Sequence, residues 1–339
     1  MNIYLIVGNG ISLDFINFIQ KNDRIDLNNL FTNGEKVKWP VSNGFSFLSY
    51  RNTPSLWRLG ARPTCSPGET FKIIQDVLTC ANVFSLIEPT KRARFKNNIE
   101  SIYLQAYNEL VSYLKYLLIY YNELVKDDDY KNIETWHWFK VIKSWYEDSK
   151  IKNIFIVTYN YDIFLEKILS KANFKFTLNM VDSSVSKISI FKPHGSISLL
   201  HKNVNDKDAF EIKNTFEHVD AKLDEFSIEY NNLSLNTTVI PLIPPAGRSS
   251  RFSNSWASTI RNNISEILKN SDTKDLLYMA GLSYWYVDRE EIDEILTKIN
   301  SEMEVILINP KPPEELLAVL STIFKKLSFL PSANEIMEI

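Results

Sequence analysis

His194 is the residue of this sequence best suited to move a proton. The chain has four histidines, and this one stands in FKPHGSI, between Pro193 and Gly195 and with Ser196 beside it. A histidine near its ordinary pKa can take a proton from a hydroxyl group or a water at neutral pH, which is the task of a general base. A turn bounded by proline and glycine would hold the ring in one place. We therefore expect His194 to be catalytic.

Asn160 and Asp162 stand where another apolar run ends, in IFIVTYNYD. Open α/β sheets bind their ligands at the carboxyl ends of their strands. An amide at that position can donate to and accept from a ribose hydroxyl group, or it can hold a water. The alternative is that Asn160 or Asp162 only caps the helix that follows, and capping alone would account for either residue.

The N-terminal stretch YLIVGNGIS places Gly8, Asn9 and Gly10 after an apolar run, with Ser12 at the start of a helical pattern. Glycines permit a tight turn and a close approach of phosphate, and a helix N-terminus offers free N–H groups and a positive dipole end. The stretch predicts a site for a dinucleotide pyrophosphate, although the third glycine of the usual fingerprint is missing. The alternative is a plain turn in which Ser12 is the helix N-cap.

Two weaker candidates follow later apolar runs. Gly281 and Ser283 stand in MAGLSYWYVD, where small residues would let a nucleotide approach the backbone, and Asn309 ends VILINP, where it could hydrogen-bond an adenosine. By contrast, His137 lies among aromatic residues in ETWHWFK, and we expect it to be packed in the core.

The elements that must position these residues are short apolar runs, rich in β-branched residues, that alternate with helical patterns. This alternation predicts an α/β fold: a Rossmann-like, mostly parallel sheet with flanking helices. The candidate strands are 3–7, 154–158, 188–191, 276–280 and 305–308, with 174–178 and 238–242 as further pieces.

The long gap between the first two strands predicts a large insertion. We expect a Rossmann-like domain of residues 1–38 and 151–339, interrupted at 39–150 by a long loop and a subdomain that is helical from about Thr70 to Ser149. A smaller polar insertion is expected at 201–236. The basic stretch KRARFK, at 91–96, is read as a solvated helix start.

Composition narrows the class of protein. The formal charge of −3 gives no strong field for polyanions, so direct nucleic-acid binding is not expected, and neither is binding to a membrane. Two cysteines, Cys65 and Cys80, are too few for a disulfide framework, which favours a cytoplasmic protein. No stretch reaches the ~18 apolar residues of a membrane span.

The order GNGIS, TYNYD, KPHGS, GLSYWYVD, INP resembles the sirtuin superfamily, in which a glycine-rich loop, a T-x-N-x-D strand end, an HG turn, a G-x-S segment and a late asparagine follow one another. The resemblance covers the α/β frame, about half of the chain, and leaves the helical insertion unmatched. Sirtuin deacylases carry a four-cysteine zinc module that this chain cannot build. The departure points to the sirtuin-like effectors of bacterial anti-phage defence, which cleave NAD. The GNG stretch is also similar to an abortive-infection family that begins GNGFD.

The resemblance implies a role for each matched residue. Asn160 would contact the nicotinamide ribose or position a water, and His194 would act as the base. The implied cofactor-binding residues are Gly8, Asn9, Gly10, Ser12, Asp162, Gly195, Ser196, Gly281, Ser283 and Asn309. NAD would be the substrate, with neither zinc nor another cofactor.

The resemblance also implies a setting. The chain would be an NAD glycohydrolase, a homo-oligomer, and the effector of an abortive-infection system with a separate sensor or ATPase partner of the HerA or Argonaute-like kind. Two alternatives stay open: a regulator that binds NAD or ADP-ribose without cleaving it, and a nuclease subunit of a defence complex.

Overall fold

The computed structural model describes residues 1–41, 45–88, 91, 101–181, 186–212, 221–244 and 256–338. The chain divides into two compact units. The first comprises Met1–Lys21, Val125–Ser196 and Trp256–Ile339, and the second comprises Asn22–Leu124 and Ile197–Ser255. These bounds differ from the predicted ones, because residues 22–38 and 197–255 fall in the second unit and residues 125–150 in the first.

The first unit is built on a sheet of seven strands, counted over the described residues, in the order β3-β4-β2-β1-β7-β8-β9. All of its pairings are parallel. Its strands are β1 (Asn2–Val7), β2 (Asn153–Thr158), β3 (Phe176–Leu178), β4 (Ile188–Phe191), β7 (Leu276–Ala280), β8 (Glu304–Ile308) and β9 (Lys326–Leu330). The predicted fold class, a mostly parallel Rossmann-like α/β sheet, is confirmed.

Helices flank this sheet and also build much of the second unit. They are α1 (Asn9–Phe18), α2 (Pro54–Arg58), α3 (Pro67–Leu86), α4 (Ile102–Leu124), α5 (His137–Glu147), α6 (Phe164–Lys171), α7 (Trp256–Lys269), α8 (Tyr286–Leu296) and α9 (Glu314–Ile323). In α5, apolar residues recur at intervals of three and four and are buried, which is the pattern of a helix packed along one face. The helical character predicted for 70–149 is confirmed in α3, α4 and α5.

The strand order reverses between β1 and β7. From β1 the chain continues to β2 on one side, and from β7 it continues to β8 on the other. In open α/β sheets the crevice outside the carboxyl ends of such a strand pair is where ligands bind. The fold therefore directs attention to the loops that follow β1 and β7.

The second unit has its own core. Helices α2 and α3 pack on α4, and the Phe47 ring contacts that of Tyr113 with centroids 5.9 Å apart. Ser66 and Glu69 cap the start of α3 reciprocally. Strands β5 (Leu199–His201) and β6 (Phe226–Ile228) pair antiparallel here, within and beside the predicted 201–236 insertion.

Four sequence predictions need correction or comment. Residues 238–242 form no strand, and β9 at the sheet edge was not predicted. His137 is exposed at the start of α5, so its expected place in the core was wrong. Within KRARFK only Lys91 is described, and residues 92–96 lie outside the described part. Among the described helices, none is long and apolar enough to cross a membrane.

Candidate functional site

The residues singled out in the sequence all follow strands of the first unit. Residues 8–12 follow β1, residues 160–162 follow β2, residues 194–196 follow β4, residues 281–283 follow β7, and Asn309 follows β8. Because these strands are parallel, their carboxyl ends form one edge of the sheet. The structure therefore brings every predicted site residue to that edge.

His194 is held by a carboxylate that the sequence analysis did not identify. Its Nε2 lies 2.9 Å from Oε2 of Glu291 on α8. Glu291 also accepts from Arg261 on α7, with Nε 3.0 Å from Oε1 and Nη2 3.3 Å from Oε2. The side chains of His194 and Glu291 are 2% and 10% exposed. An arginine, a glutamate and a histidine thus form a buried chain.

The charge on Glu291 decides which nitrogen of His194 is basic. Burial opposes ionisation of this carboxyl group, but His194 in its protonated form and Arg261, through their charges and hydrogen bonds, lower the pKa of Glu291 to about 2. An ionised carboxylate can only accept, so Nε2 must carry the proton of the contact. In the neutral imidazole the lone pair then lies on Nδ1. The geometry selects the tautomer in which Nδ1 is the base.

Glu291 sets the tautomer of His194, and packing fixes the position of its ring. The Tyr159 ring meets the imidazole edge-on, with centroids 5.0 Å apart. Gly195 has a φ of +89°, in the left-handed region that side chains rarely adopt. The glycine after His194 is therefore required by the turn itself.

A second carboxyl group, Asp288, lies one turn before Glu291 on α8. Burial raises the pKa of Asp288 to about 6, and the negative charge of Glu291 adds to the effect, whereas His194 and Arg261 oppose it. Its buried Oδ1 has no hydrogen-bond partner among the described residues. Asp288 and Glu291 therefore have pKa values displaced in opposite directions beside the same histidine.

Asn160 is oriented by a directed pair of hydrogen bonds. Its Nδ2 donates to Ser12 Oγ at 2.8 Å, and Ser12 Oγ donates to Asp162 Oδ2 at 2.7 Å. Asp162 Oδ1 accepts from the N–H of Phe164 at 3.1 Å, which secures the start of α6. Since the carboxylate takes the Ser12 proton, the hydroxyl must accept from the amide NH₂. The amide oxygen of Asn160 takes no part in this pair of hydrogen bonds.

The same network settles what Ser12 does locally. Ser12 lies within α1, is 4% exposed, and is not the N-cap, which is Gly8 without a side-chain cap. Its hydroxyl is engaged with Asn160 and Asp162. Asp162 does cap the following helix, as one alternative had it, but its carboxylate also accepts a hydrogen bond from Ser12.

A buried lysine, Lys192, contacts the loops after β2 and β4. Lys192 Nζ donates to the carbonyl oxygen of Asp162 and to Ser196 Oγ, and lies 2.5 Å from Glu166 Oε1. A cavity of about 10 Å³ beside it is lined by Ser12, Asn160, Asp162, Glu166 and Lys192, among others. That volume suits about one water. A nucleotide cannot occupy this cavity.

The glycines of the first turn meet the glycine after β7. Gly8 N donates to Ala280 O and Gly10 N to Gly281 O, each at 3.1 Å. A Cβ atom on Gly10 would lie 2.4 Å from Gly281 Cα, and Gly281 has a φ of +61°. These glycines are required because two backbones touch at the point where the strand order reverses.

The remaining predicted residues lie around this contact. Asn309 Nδ2 donates to Leu282 O at 3.4 Å, and its Oδ1 accepts from Lys311 N at 3.0 Å, so it ties the loop after β7 to that after β8. Asn9 and Ser283 are exposed on the same edge. Both are therefore accessible to a ligand there.

Sequence reasoning missed Glu291, Arg261 and Lys192. Glu291 and Arg261 stand among polar residues of helical sequence patterns, where a charged residue is common. Lys192 stands two positions before His194, in KPHGS, at the end of an apolar stretch. Its apolar neighbours were the one signal in the sequence that could have indicated its burial.

No protein-family model matches the chain, and no curated protein matches it either. Over the described residues, no cluster of three or more His, Cys, Asp or Glu side chains is arranged to hold a metal ion.

Proposed function

We propose that the protein is an NAD glycohydrolase, which cleaves NAD to nicotinamide and ADP-ribose. The observation that supports this most directly is the pairing of His194 with Glu291, which leaves Nδ1 of a buried imidazole as a base. It lies at the same sheet edge as an oriented asparagine and a glycine turn. That combination suits a nucleotide whose ribose must be attacked by water.

The chemistry asks little of the protein beyond positioning. The bond between nicotinamide and ribose already has a cationic leaving group, so its electron pair leaves with nicotinamide without prior protonation. Water adds to the ribose carbon, and a base takes one of its protons. An oriented amide oxygen beside the developing positive charge on ribose stabilises the transition state. The balance is NAD plus water giving nicotinamide, ADP-ribose and a proton.

The roles follow from the contacts. Nδ1 of His194 takes the proton from water, and Glu291 holds the ring and its tautomer. Asn160 presents its amide oxygen to the ribose or the water, while Ser12 and Asp162 fix the orientation of that amide. Ser12 is thereby a positioning residue rather than a pyrophosphate contact.

The other predicted residues form the remainder of the proposed cofactor groove. Asn9 and the N-terminal end of α1 would face the pyrophosphate, with Gly8 and Gly10 allowing the loops to meet closely. Ser283 and Asn309 would lie toward the adenosine, beside Gly281. Gly195 and Ser196 complete the turn that carries His194.

The proposal includes a biological setting, which rests on the sirtuin-like motif order. An enzyme that destroys NAD must be restrained, so we propose a cytoplasmic homo-oligomer or a complex with a sensor or ATPase, acting as an abortive-infection effector.

The test is nicotinamide release from NAD by the purified chain, alone and with proteins that co-purify from the native host. His194→Ala and Asn160→Ala are expected to lower release by at least ~100-fold, the usual scale for a lost acid–base group. His137→Ala is the matched control, because this histidine is exposed on α5. Tight binding of NAD or ADP-ribose without nicotinamide release would favour the regulator instead.

A further inference from the structure

Lys192 makes contacts that neither the fold nor the proposed chemistry yet explains. Its side chain is 1% exposed and that of its ion-pair partner Glu166 is 0% exposed. A lysine buried to this degree must satisfy its three ammonium protons inside the protein. The partners it uses come from separate segments of the first unit.

The hydrogen bonds of Lys192 go to the two loops that carry the proposed catalytic residues. One goes to the carbonyl oxygen of Asp162, two residues after Asn160, and the other, at 3.2 Å, goes to Ser196 Oγ, two residues after His194. The ammonium group thus bridges the segment after β2 and the turn after β4. Ser196 Oγ also lies 3.5 Å from the carbonyl oxygen of Tyr161, which closes the connection.

Glu166 supplies the compensating charge. Its Oε1 lies 2.5 Å from Nζ of Lys192, and its Oε2 has no hydrogen-bond partner among the described residues. This ion pair accounts for one of the three ammonium protons of Lys192, and the other two are directed at the two loops.

We propose that Lys192 is a positioning residue that fixes the Asn160 segment relative to the His194 turn. The inference rests on the proposed function, in which Asn160 and His194 act on the same ribose. Misplacing reacting groups by about 1 Å costs about a hundredfold in rate. Loss of the bridge is therefore expected to lower kcat while leaving substrate affinity largely intact.

The experiment removes the bridge without leaving a buried charge. Lys192→Met alone would strand the Glu166 carboxylate, so the variant is Lys192→Met combined with Glu166→Leu, because an apolar pair of similar volume commonly replaces a buried ion pair without loss of stability. Lys192→Arg is made in parallel. It keeps the charge opposite Glu166, but a planar guanidinium cannot place one point donor between two loops.

The chain offers a matched control at the other end of β4. Lys187 Nζ donates to the carbonyl oxygens of Tyr146 and Asp148, each at 2.7 Å, so it also ties backbone segments together. It lies at the amino end of the strand, away from the site. Lys187→Met is expected to keep the parental kcat.

Steady-state kinetics on NAD separate positioning from mere structural support. The double variant and Lys192→Arg are each expected to fold, to keep KM within about threefold, and to lose kcat by about tenfold to a hundredfold. This is the scale of loss when residues that orient metal ligands are replaced. A parental kcat in either folded variant would overturn the proposal. So would an equal loss in Lys187→Met.

A second readout does not depend on NAD cleavage. In ¹⁵N-labelled protein the Nε2–H signal of His194 reports its bond to Glu291, and the proposal expects this signal to shift or broaden in the Lys192 variants but not in Lys187→Met. If the parental chain releases no nicotinamide, the proposed function fails, while the positioning claim is decided by this signal alone. An unchanged signal in the Lys192 variants would then reject it.

Discussion

His194 Nε2 and Glu291 Oε2 lie 2.9 Å apart, although 97 positions separate the two residues in the chain. The turn after β4 supplies the histidine, and α8 supplies the carboxylate. The sheet makes the meeting possible, because β4 and β7 both end at the edge where α8 begins. The catalytic assignment of His194 depends on this contact, since the contact sets the tautomer.

The first prediction concerns Glu291. Replacing it by glutamine removes the charge that makes Nε2 a donor, so the ring can adopt the other tautomer and lose its orientation. We expect Glu291→Gln to lower kcat for nicotinamide release by about tenfold to a hundredfold, the scale of loss when a group that orients a metal-bound histidine is replaced. Glu294→Gln, an exposed position on the same helix, serves as control and should keep the parental rate.

The second prediction concerns Asp288 and pH. Its pKa is about 6 in the folded protein, above its ordinary value of 3.8. Between pH 3.8 and pH 6, Asp288 is ionised in the unfolded chain but keeps its proton in the folded one. The free energy of unfolding of the wild type therefore falls as pH rises toward 6 and stays lowered above it. Asp288→Asn should therefore raise the free energy of unfolding at pH 7.5, by about 2 kcal/mol, with no gain below about pH 4.

Urea denaturation at both pH values measures the Asp288 effect. Asp128→Asn, at a side chain that is 82% exposed, should change the free energy of unfolding by less than about 0.5 kcal/mol at either pH. A loss of stability at pH 7.5 in Asp288→Asn would show that the charged form of Asp288 is favoured by the fold, against this account.

The third prediction concerns Ser12. Ser12→Ala leaves Asn160 Nδ2 and Asp162 Oδ2 without their shared partner in a buried place. We expect a loss of about 1–3 kcal/mol in stability and a fall in kcat, because the amide of Asn160 is no longer fixed in one orientation. Denaturation and nicotinamide assays measure both. Ser321→Ala, at an exposed site on α9, is the control; if both variants behave alike, the network has no role in orienting Asn160.

The fourth prediction concerns Gly10. A methyl group there would meet Gly281 Cα at 2.4 Å, so Gly10→Ala must separate the loops after β1 and β7. We expect a marked loss of thermal stability and of NAD binding together. Gly68→Ala is the matched control, because nothing lies within 4 Å of the added atom in α3. There alanine should be neutral or stabilising by up to ~1 kcal/mol. Equal melting temperatures for the two variants would contradict the close contact.

The sequence predicted the sheet well because its central strands are buried on both faces and appear as continuous apolar runs. Strand β9 was not predicted, because KLSFL at the sheet edge mixes polar and half-exposed residues and has no continuous apolar run. Residues 238–242 were wrongly predicted as a strand, because this apolar run includes Pro241 and forms no more than an isolated β-bridge at Leu242. The burial predicted for His137 was wrong, because the side chains of consecutive helical residues point about 100° apart. Adjacent aromatic residues therefore do not imply that the residue between them is buried.

The position of the site followed from the sequence, but its internal contacts did not. Parallel strands carry their post-strand residues to one edge, so Asn160 and His194 could be placed there in advance. Periodicity shows which face a residue occupies but not which distant residue it meets. The partners Glu291, Arg261 and Lys192 therefore emerged only from the folded chain.

The central claim is that this chain hydrolyses NAD with His194 as the base, and one time course tests it most directly. Nicotinamide and ADP-ribose are quantified together from NAD incubated with the parental protein and with His194→Ala. The account predicts equal amounts of the two products from the parental protein and at least ~100-fold less from the variant. Equal rates from both proteins, or NAD that stays intact with the parental protein alone and with its co-purifying proteins, would contradict it.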